Sequence, residues 1–540
     1  MQPQTKRARL DPAVVAVVCQ LFRLPRELLE LIAAWFSRGE AVPVLTVNST
    51  FHEIFAEHIW RRLDSDLARR KTIPPESRVR YGHLVRRMRI THSIPDTIDL
   101  TAAFPNLTHL WISFSRLAEI IKSSQGKCFE RLCYLGTWAV DADYDMLETS
   151  DDVGPVLNWI DSRFETEIGL GKIEWEVYDG QDMQLPYKTL KWFERNGQLS
   201  RIHFKFSNEV LNFSYSENAD FNAAIPHCLV DWKVEENDGE CAAERFSRTL
   251  NTIPSAEQRS FTFPVLQRLR IGTCCDGGNE VYSQFNFGLL FPSVWHLTLD
   301  TTVYHCQDYS EDAFSAILAH PWPSVRKLDI NGDIIFSIVV SHLAVLSNVE
   351  ELSMIWESEL DDEDLGVVKL CELGRALPKL VRLKIDGRDV VSTPLNQQLQ
   401  LQLFPHLRYV ALGNLTMSTS AINALVNAPL LTNISLEYVE FKSDDDVDTS
   451  NVEYHQTDLT NDQMDSKLNL DLLIGLTNSA VRSMDVHVGS NWLPLDYEDT
   501  LRAMIKCFTR LKVCVIHIDD SDSLLGLLEE FPTVKFNPFK

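Results

Sequence analysis

The chain lacks a long apolar run. Its longest, IIFSIVVSHLAVL from Ile334 to Leu346, is thirteen residues and carries His342, well short of the roughly 20 residues a membrane-spanning helix needs. It also lacks paired cysteines. The eleven Cys residues are scattered, with no C-x-x-C spacing, and Cys274 and Cys275 are adjacent; that argues against a disulfide framework or a zinc ribbon and for a reduced, intracellular protein, cytoplasmic and/or nuclear. Positive charge is scarce: 51 Lys+Arg against 76 Asp+Glu leave a net charge of −25, which excludes an ordinary nucleic-acid binder. Catalytic signatures are missing as well. GLGKIE (Gly169 to Glu174) lacks the third glycine of a phosphate loop. His52 and His58 stand on different sides of a helix, which is not a zinc-protease pair. No Gly-x-Ser-x-Gly elbow occurs. The expectation is a protein that is not an enzyme, with no catalytic residue, no metal, no cofactor, and neither a nucleic-acid nor a membrane partner.

What charge there is lies unevenly. Residues 1–100 hold 16 Lys/Arg against 11 Asp/Glu, so the remainder is strongly acidic. A basic front and an acidic body suggest two modules with different partners. AVVAVVCQLF (Ala13 to Phe22) superficially resembles a secretory leader, but Asp11-Pro12 is a helix cap and first turn, so a helix is expected there. The basic stretch Lys6 to Arg9 is either a nuclear import signal or a solvated tail.

LPRELLELIAAW follows, Leu24 to Trp35. Pro25 suits a first helical position and Glu27 the positive end of the helix dipole. Leu24, Leu28, Leu29, Leu31, Ile32, Trp35 and Phe36 cover roughly 160° of a helical wheel, more than a surface helix normally buries. After VPVLTV, Thr50 and Glu53 read as a capping box for a further helix with Phe51, Ile54, Phe55, Ile59 and Leu63 inward. Three short helices cannot cover this much apolar surface by themselves. The excess is either a partner-binding patch or a lid on the domain that follows.

The order LPRELLELIAAW then VPVLTVNSTFHEIFAEHIW resembles the F-box, over about residues 22–63: a Leu-Pro-x-Glu-Leu-Leu opening, an apolar-Val-Asn/Ser middle, and an aromatic-rich helix ending in Trp60. The resemblance implies docking onto the Skp adaptor of Skp–cullin–F-box ubiquitin ligases, and through it onto a cullin. By matching position the adaptor-binding residues it implies are Leu24, Pro25, Leu28, Leu29, Ile32, Leu45, Val47, Phe51 and Trp60.

From about residue 99 one phrase recurs: apolar, Pro, any residue, then apolar-x-x-apolar-x-apolar. It reads FPNLTHLWI, FPVLQRLRI, FPSVWHLTL, WPSVRKLDI, LPKLVRLKI, FPHLRYVAL and APLLTNISL, with weaker copies such as FERLCYL, LSNVEELSM and TRLKVCVI. Successive copies from Leu266 to Leu431 stand 24–31 residues apart, the spacing of leucine-rich repeats. Each phrase is a short strand with alternate residues inward, and such units bury their cores only by stacking into a solenoid. The position of the usual Asn ladder holds Cys274, Thr302 and Asp333, so the array is expected to be irregular. The expected fold is α/β: a disordered basic tail (1–12), a three-helix F-box (13–63), a basic helical linker (64–98), and an irregular leucine-rich-repeat solenoid (99–540) with a disordered acidic insertion at about 442–467. An F-box ahead of such repeats resembles the irregular, fungal-like substrate receptors of the F-box family. That implies the repeats bind a target protein; the alternative is a repeat scaffold held by the Skp adaptor with no ligase role.

The residue before the second apolar position of each phrase should face the inner, concave surface. Down the array this column is His109, Tyr134, Lys172, Arg201, Asp231, Arg268, His296, Lys327, Glu351, Arg382, Tyr409 and Asn433. It is either a mixed solvated face or, through Arg201, Arg268, Lys327 and Arg382, a candidate target-binding ladder for an acidic or phosphorylated segment.

Overall fold

The computed structural model describes residues 24–34, 41–42, 44–45, 48–64, 75–90, 99–138, 153–164, 170–177, 184–206, 225–234, 242–251, 262–272, 281–301, 311–332, 340, 342–355, 370–391, 403–418, 421, 425, 428–437, 440–442, 483–487, 513–518, 530–531 and 535–538. The expected basic tail, Val47, nearly all of the acidic insertion, and Cys274, Thr302 and Asp333 lie outside them.

The fold is α/β, built as a parallel ladder in which the sequence phrases supply most of the strands. Two compact units divide at Lys205 and Phe206. The first opens with two helices, α1 (Arg26–Ala33) and α2 (Ser49–Trp60). Helix α1 starts where Leu28 and Leu29 N–H groups meet the Pro25 carbonyl. Helix α2 is capped by Asn48, whose Oδ1 accepts from Phe51 N at 2.8 Å. The expected capping box is therefore displaced: Thr50 is already inside the helix, because the amide one position before Ser49 reaches the free N–H groups first. Leu29, Ala33, Ala41, Phe51, Ile54 and Phe55 form the small core of this cluster.

Ladder and cluster join without a linker. Strand β1 (Arg62–Asp64) begins one residue after α2 and pairs in parallel with β2 (Arg87–Arg89), Leu63 opposite Met88. Arg86 N and Arg87 N both donate to the Arg61 carbonyl at 2.9 Å. The same two-donor pattern recurs one repeat later, where Thr108 N and His109 N donate to Arg86 O, and again where Cys133 N and Tyr134 N donate to Thr108 O. The stretch 64–98, expected to be a helical linker, thus contains a helix, α3 (Pro75–Tyr81), and then β2, a full member of the ladder. Its basic residues flank a single buried apolar one, Met88, which is enough for a three-residue strand. Gly82, just after α3, lets the backbone approach closely: a Cβ there would stand 2.0 Å from the Ala103 carbonyl oxygen.

From β2 the first ladder runs through β3 (His109–Ser113), β4 (Tyr134–Trp138) and β5 (Lys172–Val177), all parallel, followed by β6 (Ile202–Phe206). In the second unit β7 (Leu229–Val234), β8 (Arg268–Gly272), β9 (His296–Thr301), β10 (Lys327–Gly332), β11 (Glu351–Ile355), β12 (Arg382–Val391), β13 (Tyr409–Ser418) and β14 (Asn433–Glu437) pair in order. Short β15 (Glu440–Lys442) pairs with β13, and β16 (Ser483–His487), β17 (Val513–Ile518) and β18 (Lys535–Pro538) continue from β14.

Burial alternates along the strands. Leu110 and Ile112, Leu269 and Ile271, Leu328 and Ile330, Leu352 and Met354 are buried, while the residues between them are open on the other face. Behind the second ladder, Trp232, Phe246, Phe263, Phe287, Phe291 and Trp322 form a chain of ring contacts at 5.2–6.3 Å. In four repeats the residue after the proline position ties the unit to the one before. Asn106 Nδ2 donates to His83 O (2.8 Å), Ser293 Oγ to Pro264 O (2.6 Å), Ser324 Oγ to Pro292 O (2.5 Å) and Asn348 Nδ2 to Pro323 O (3.0 Å). Among the described residues no helix is long and apolar enough to cross a membrane.

Candidate functional site

Two surfaces carry the residues singled out in the sequence. The first is the helical cluster. Leu29 and Phe51 lie inside its core, Leu29 only 2% exposed; Leu24, Ile32, Leu45 and Trp60 are half-buried, and Pro25 is exposed. Leu28 is 45% exposed and Leu31, three residues on along α1, is 61% exposed; Val42, after the helix, is 53% exposed. The wide apolar arc of α1 therefore splits. One side, Leu29 and Ala33, closes the cluster; the other, Leu28 and Leu31, has nothing among the described residues to cover it. Leu31 and Val42 were not among the positions carried by the resemblance, although the width of the arc included Leu31. Trp60 stacks on Tyr81 of α3 at 5.2 Å, and His52 bridges the Leu45 carbonyl (3.1 Å) and the Tyr81 hydroxyl (3.0 Å). These contacts brace α2 against α3. Beside them lies a cleft of about 650 Å³ lined by Arg26, Glu53, Glu57, Arg80 and His83 among others. Its charges are mixed, and among the described residues no group of three or more His, Cys, Asp and Glu could hold a metal ion.

The second surface is the open face of the ladders. In the second unit Asp231, Arg268, His296, Lys327, Glu351, Arg382, Tyr409 and Asn433 fall opposite one another in a single register row. The structure thus sets Arg268, Lys327 and Arg382 at successive intervals of two strands. Each has its own carboxylate: Asp231 at 3.7 Å from Arg268, Asp329 at 2.8 Å from Lys327, Glu351 at 3.8 Å from Arg382. Arg268 and Arg382 also lie over the rings of Trp295 and Tyr409 at 5.8 and 5.1 Å. Asp329 takes His296 Nε2 at 2.6 Å besides Lys327; burial raises its pKa, but these two hydrogen bonds outweigh burial and hold it below the usual carboxylate range. Arg201 is placed differently. It ends a 3-10 turn before β6, with its guanidinium 4.7 Å over the Phe164 ring.

In the first unit the open face is aromatic and basic. His109, Tyr134 and Lys172 share one row; Arg89, Trp111, Gly136 and Glu174 share the next. Tyr134 stacks on His109 at 5.5 Å and Trp111 on Trp138 at 6.2 Å. Lys205 pairs with Glu174, and Lys172 lies 3.9 Å from it. Burial, then the hydrogen bond to Glu174, pushes the Tyr134 phenol up, while burial and then Lys172 push His203 down to about 4. His109 is lowered by burial and then by Arg87. The Trp111 and Gly136 pair was missed by the sequence reading; the signal was a glycine at an open-face position, in YLGTW, where the neighbouring repeats carry bulky residues.

No family model and no curated protein matches this chain. Among solved structures it is similar to the yeast structure described as the Rad7 and Elc1 complex, at 12% identity over 97% of this chain and 95% of that one, with a TM-score of 0.38. It is also similar to an internalin (inlF) from Listeria monocytogenes, at 12% identity over 85% of this chain and 88% of that one, with a TM-score of 0.30.

Proposed function

We propose that this chain is the target-receiving subunit of a Skp–cullin–F-box ubiquitin ligase: the helical cluster docks on the Skp adaptor, the adaptor brings the cullin, and the repeats hold the protein to be modified. The observation that carries the reading is the exposed pair Leu28 and Leu31 on α1, set beside a core that Leu29, Phe51, Ile54 and Phe55 already fill. Surface of this kind marks an interface, and each leucine contributes about 1.5–3 kcal/mol when covered. On this reading the chain performs no chemical step and acts by proximity, raising the local concentration of the target's lysines. The target lies on the open faces of the ladders. In the second unit Arg268, Lys327 and Arg382 already have carboxylates, so there they sort partners by charge pattern more than they attract them.

The test is capture of a purified Skp-type adaptor, with an elongin-type adaptor alongside. Leu28→Asp with Leu31→Asp should abolish Skp capture and leave thermal unfolding unchanged, whereas Leu29→Asp should collapse the cluster itself. Undiminished capture by the folded double variant overturns the docking surface. Cullin and a stabilised target recovered under proteasome block favour the ligase; the Skp adaptor recovered alone favours the repeat scaffold.

A further inference from the structure

Helix α1 is anchored at its start and bare along one side. Leu24 packs against the core of the helical cluster, and the chain enters the helix through an extended Pro25, at φ −54° and ψ 150°. Leu28 and Leu31 lie about 60° apart on a wheel of 100° per residue, turned away from the inward Leu29 and Ala33. They stay 45% and 61% exposed. Adjacent leucines left open on one helix mark a surface that something covers.

The chain just before Leu24 has the chemistry to do so. Residues 13–22, outside the described residues, read AVVAVVCQLF, with Gln20 the single polar side chain. The Asp11-Pro12 cap predicts a helix there, and a helix apolar on every side has to be buried. Only Arg23 separates Phe22 from the anchored Leu24, so Arg23, Leu24 and Pro25 suffice as the short connection that joins neighbouring helices. Ten helical residues span about 15 Å and the eight of α1 about 12 Å, so an antiparallel helix would pass Leu28 and then Leu31. That direction carries Lys6, Arg7 and Arg9 to the far end of α1, where the helix dipole favours cations and where the last turn of α1 has no basic residue. So short a tether holds the segment at an effective concentration of about millimolar, which a free chain in dilute solution does not reach.

We propose that residues 13–22 fold back as a helix onto Leu28 and Leu31 and shield the face on which the adaptor docks, so that adaptor binding has to displace them. The occupant is this chain's own segment: its composition matches the bare leucines, its end is fixed one residue from the cluster, and its basic lead matches the dipole end of α1. Cys19 lies inside the segment and reports its burial. The proposal rests on the ligase reading only in naming what does the displacing.

The experiment uses the full chain and follows alkylation of Cys19 by iodoacetamide, read by mass spectrometry on the tryptic peptide from Leu10 to Arg23. Leu28→Asp with Leu31→Asp should raise the rate at least about tenfold, because a thiol released from a buried helix meets the reagent freely. Leu289→Asp, at an exposed leucine of the second unit, should leave it unchanged. Val14→Asp with Val18→Asp should raise it as much and should also tighten capture of a purified Skp-type adaptor about fivefold or more; removal of residues 1–22 should tighten capture equally. Equal Cys19 rates in the parent chain and both double variants overturn the proposal. Protection lost on dilution from micromolar to nanomolar chain makes a second copy the occupant and overturns docking within one chain. Cys19 protection that depends on the leucines, with adaptor capture indifferent to Val14 and Val18, overturns the shielding. If Cys19 responds to the leucines and no adaptor binds either form, the docking stands and only the ligase reading falls. If adaptor binds and Cys19 is alkylated alike in every chain, only this proposal falls.

Discussion

Arg268, Lys327 and Arg382 in the second unit each stand within 4 Å of a carboxylate on their own or a neighbouring strand. In the first unit Arg87 stands in register between Arg62 and His109, and Arg89 between Asp64 and Trp111. The ladder geometry is the same, yet the second unit gives each of these cations an ion pair, while the first also sets cations beside rings and beside one another. A column of cations read down a repeat array is therefore not a site by itself. What the neighbouring strands contribute at the same register, an acid, a ring or another cation, decides how much of that positive charge is spent inside the protein.

The comparison can be sharpened, first by testing how much stability resides behind the sheet and how little on its open face. Leu328 is fully buried, and Leu328→Ala should cost about 2–5 kcal/mol, seen as a lower unfolding midpoint in urea. The next largest effect separates two open-face histidines. His296 has Asp329, whereas His203 is held down to about 4 by burial and Lys172. Unfolded histidine titrates near 6.5, so the unfolded chain takes up a proton that folded His203 refuses. Its contribution is complete above about pH 6.5 and is lost as pH falls toward about 4. His203→Gln should flatten the decline in melting temperature across that window; an unchanged decline would remove His203 as its source. Asp300, buried and joined to Arg270 at 3.0 Å, ranks third. Asp300→Ala should cost about 1 kcal/mol, since Arg270 itself is partly solvated. The smallest effect is Arg382→Ala, whose exposed pair with Glu351 is worth about 0–1 kcal/mol; a larger loss would mean that the second face is more than solvated charge.

Much of the ladder is legible in the sequence because its phrase couples a turn to alternating apolar residues. FPSVWHLTL and WPSVRKLDI each leave one side for the core, and their open-face residues could be placed in a column before any strand was seen. Three things escaped. Strand β1 is three residues, Arg62–Asp64, with one apolar side chain, Leu63; it exists because the Arg61 carbonyl meets two amides from residues 86 and 87, a pairing no local pattern announces. The polar ties from Asn106, Ser293, Ser324 and Asn348 were present as FPN, FPS, WPS and LSN, but attention to the usual Asn position past the strand drew the reading away from them. Gly136 looked like a weak repeat position, because the reason for it is a ring on another strand. In the helical cluster the width of the apolar arc was readable, whereas its division into an inward Leu29 and an outward Leu28 depends on where α2 packs.

Only Arg61 separates the last residue of α2 from the first of β1. An α-helix turns about 100° per residue and a strand reverses face at every residue, so this junction acts as a phase lock. Adding or removing one residue there would rotate the exposed leucines against the ladder by more than a quarter turn. Trp111 lies two strands from β1, about 10 Å at the usual inter-strand spacing. The Trp111 indole is therefore indexed to the helical cluster by whole residues and whole strands, with no flexible tether to average its orientation.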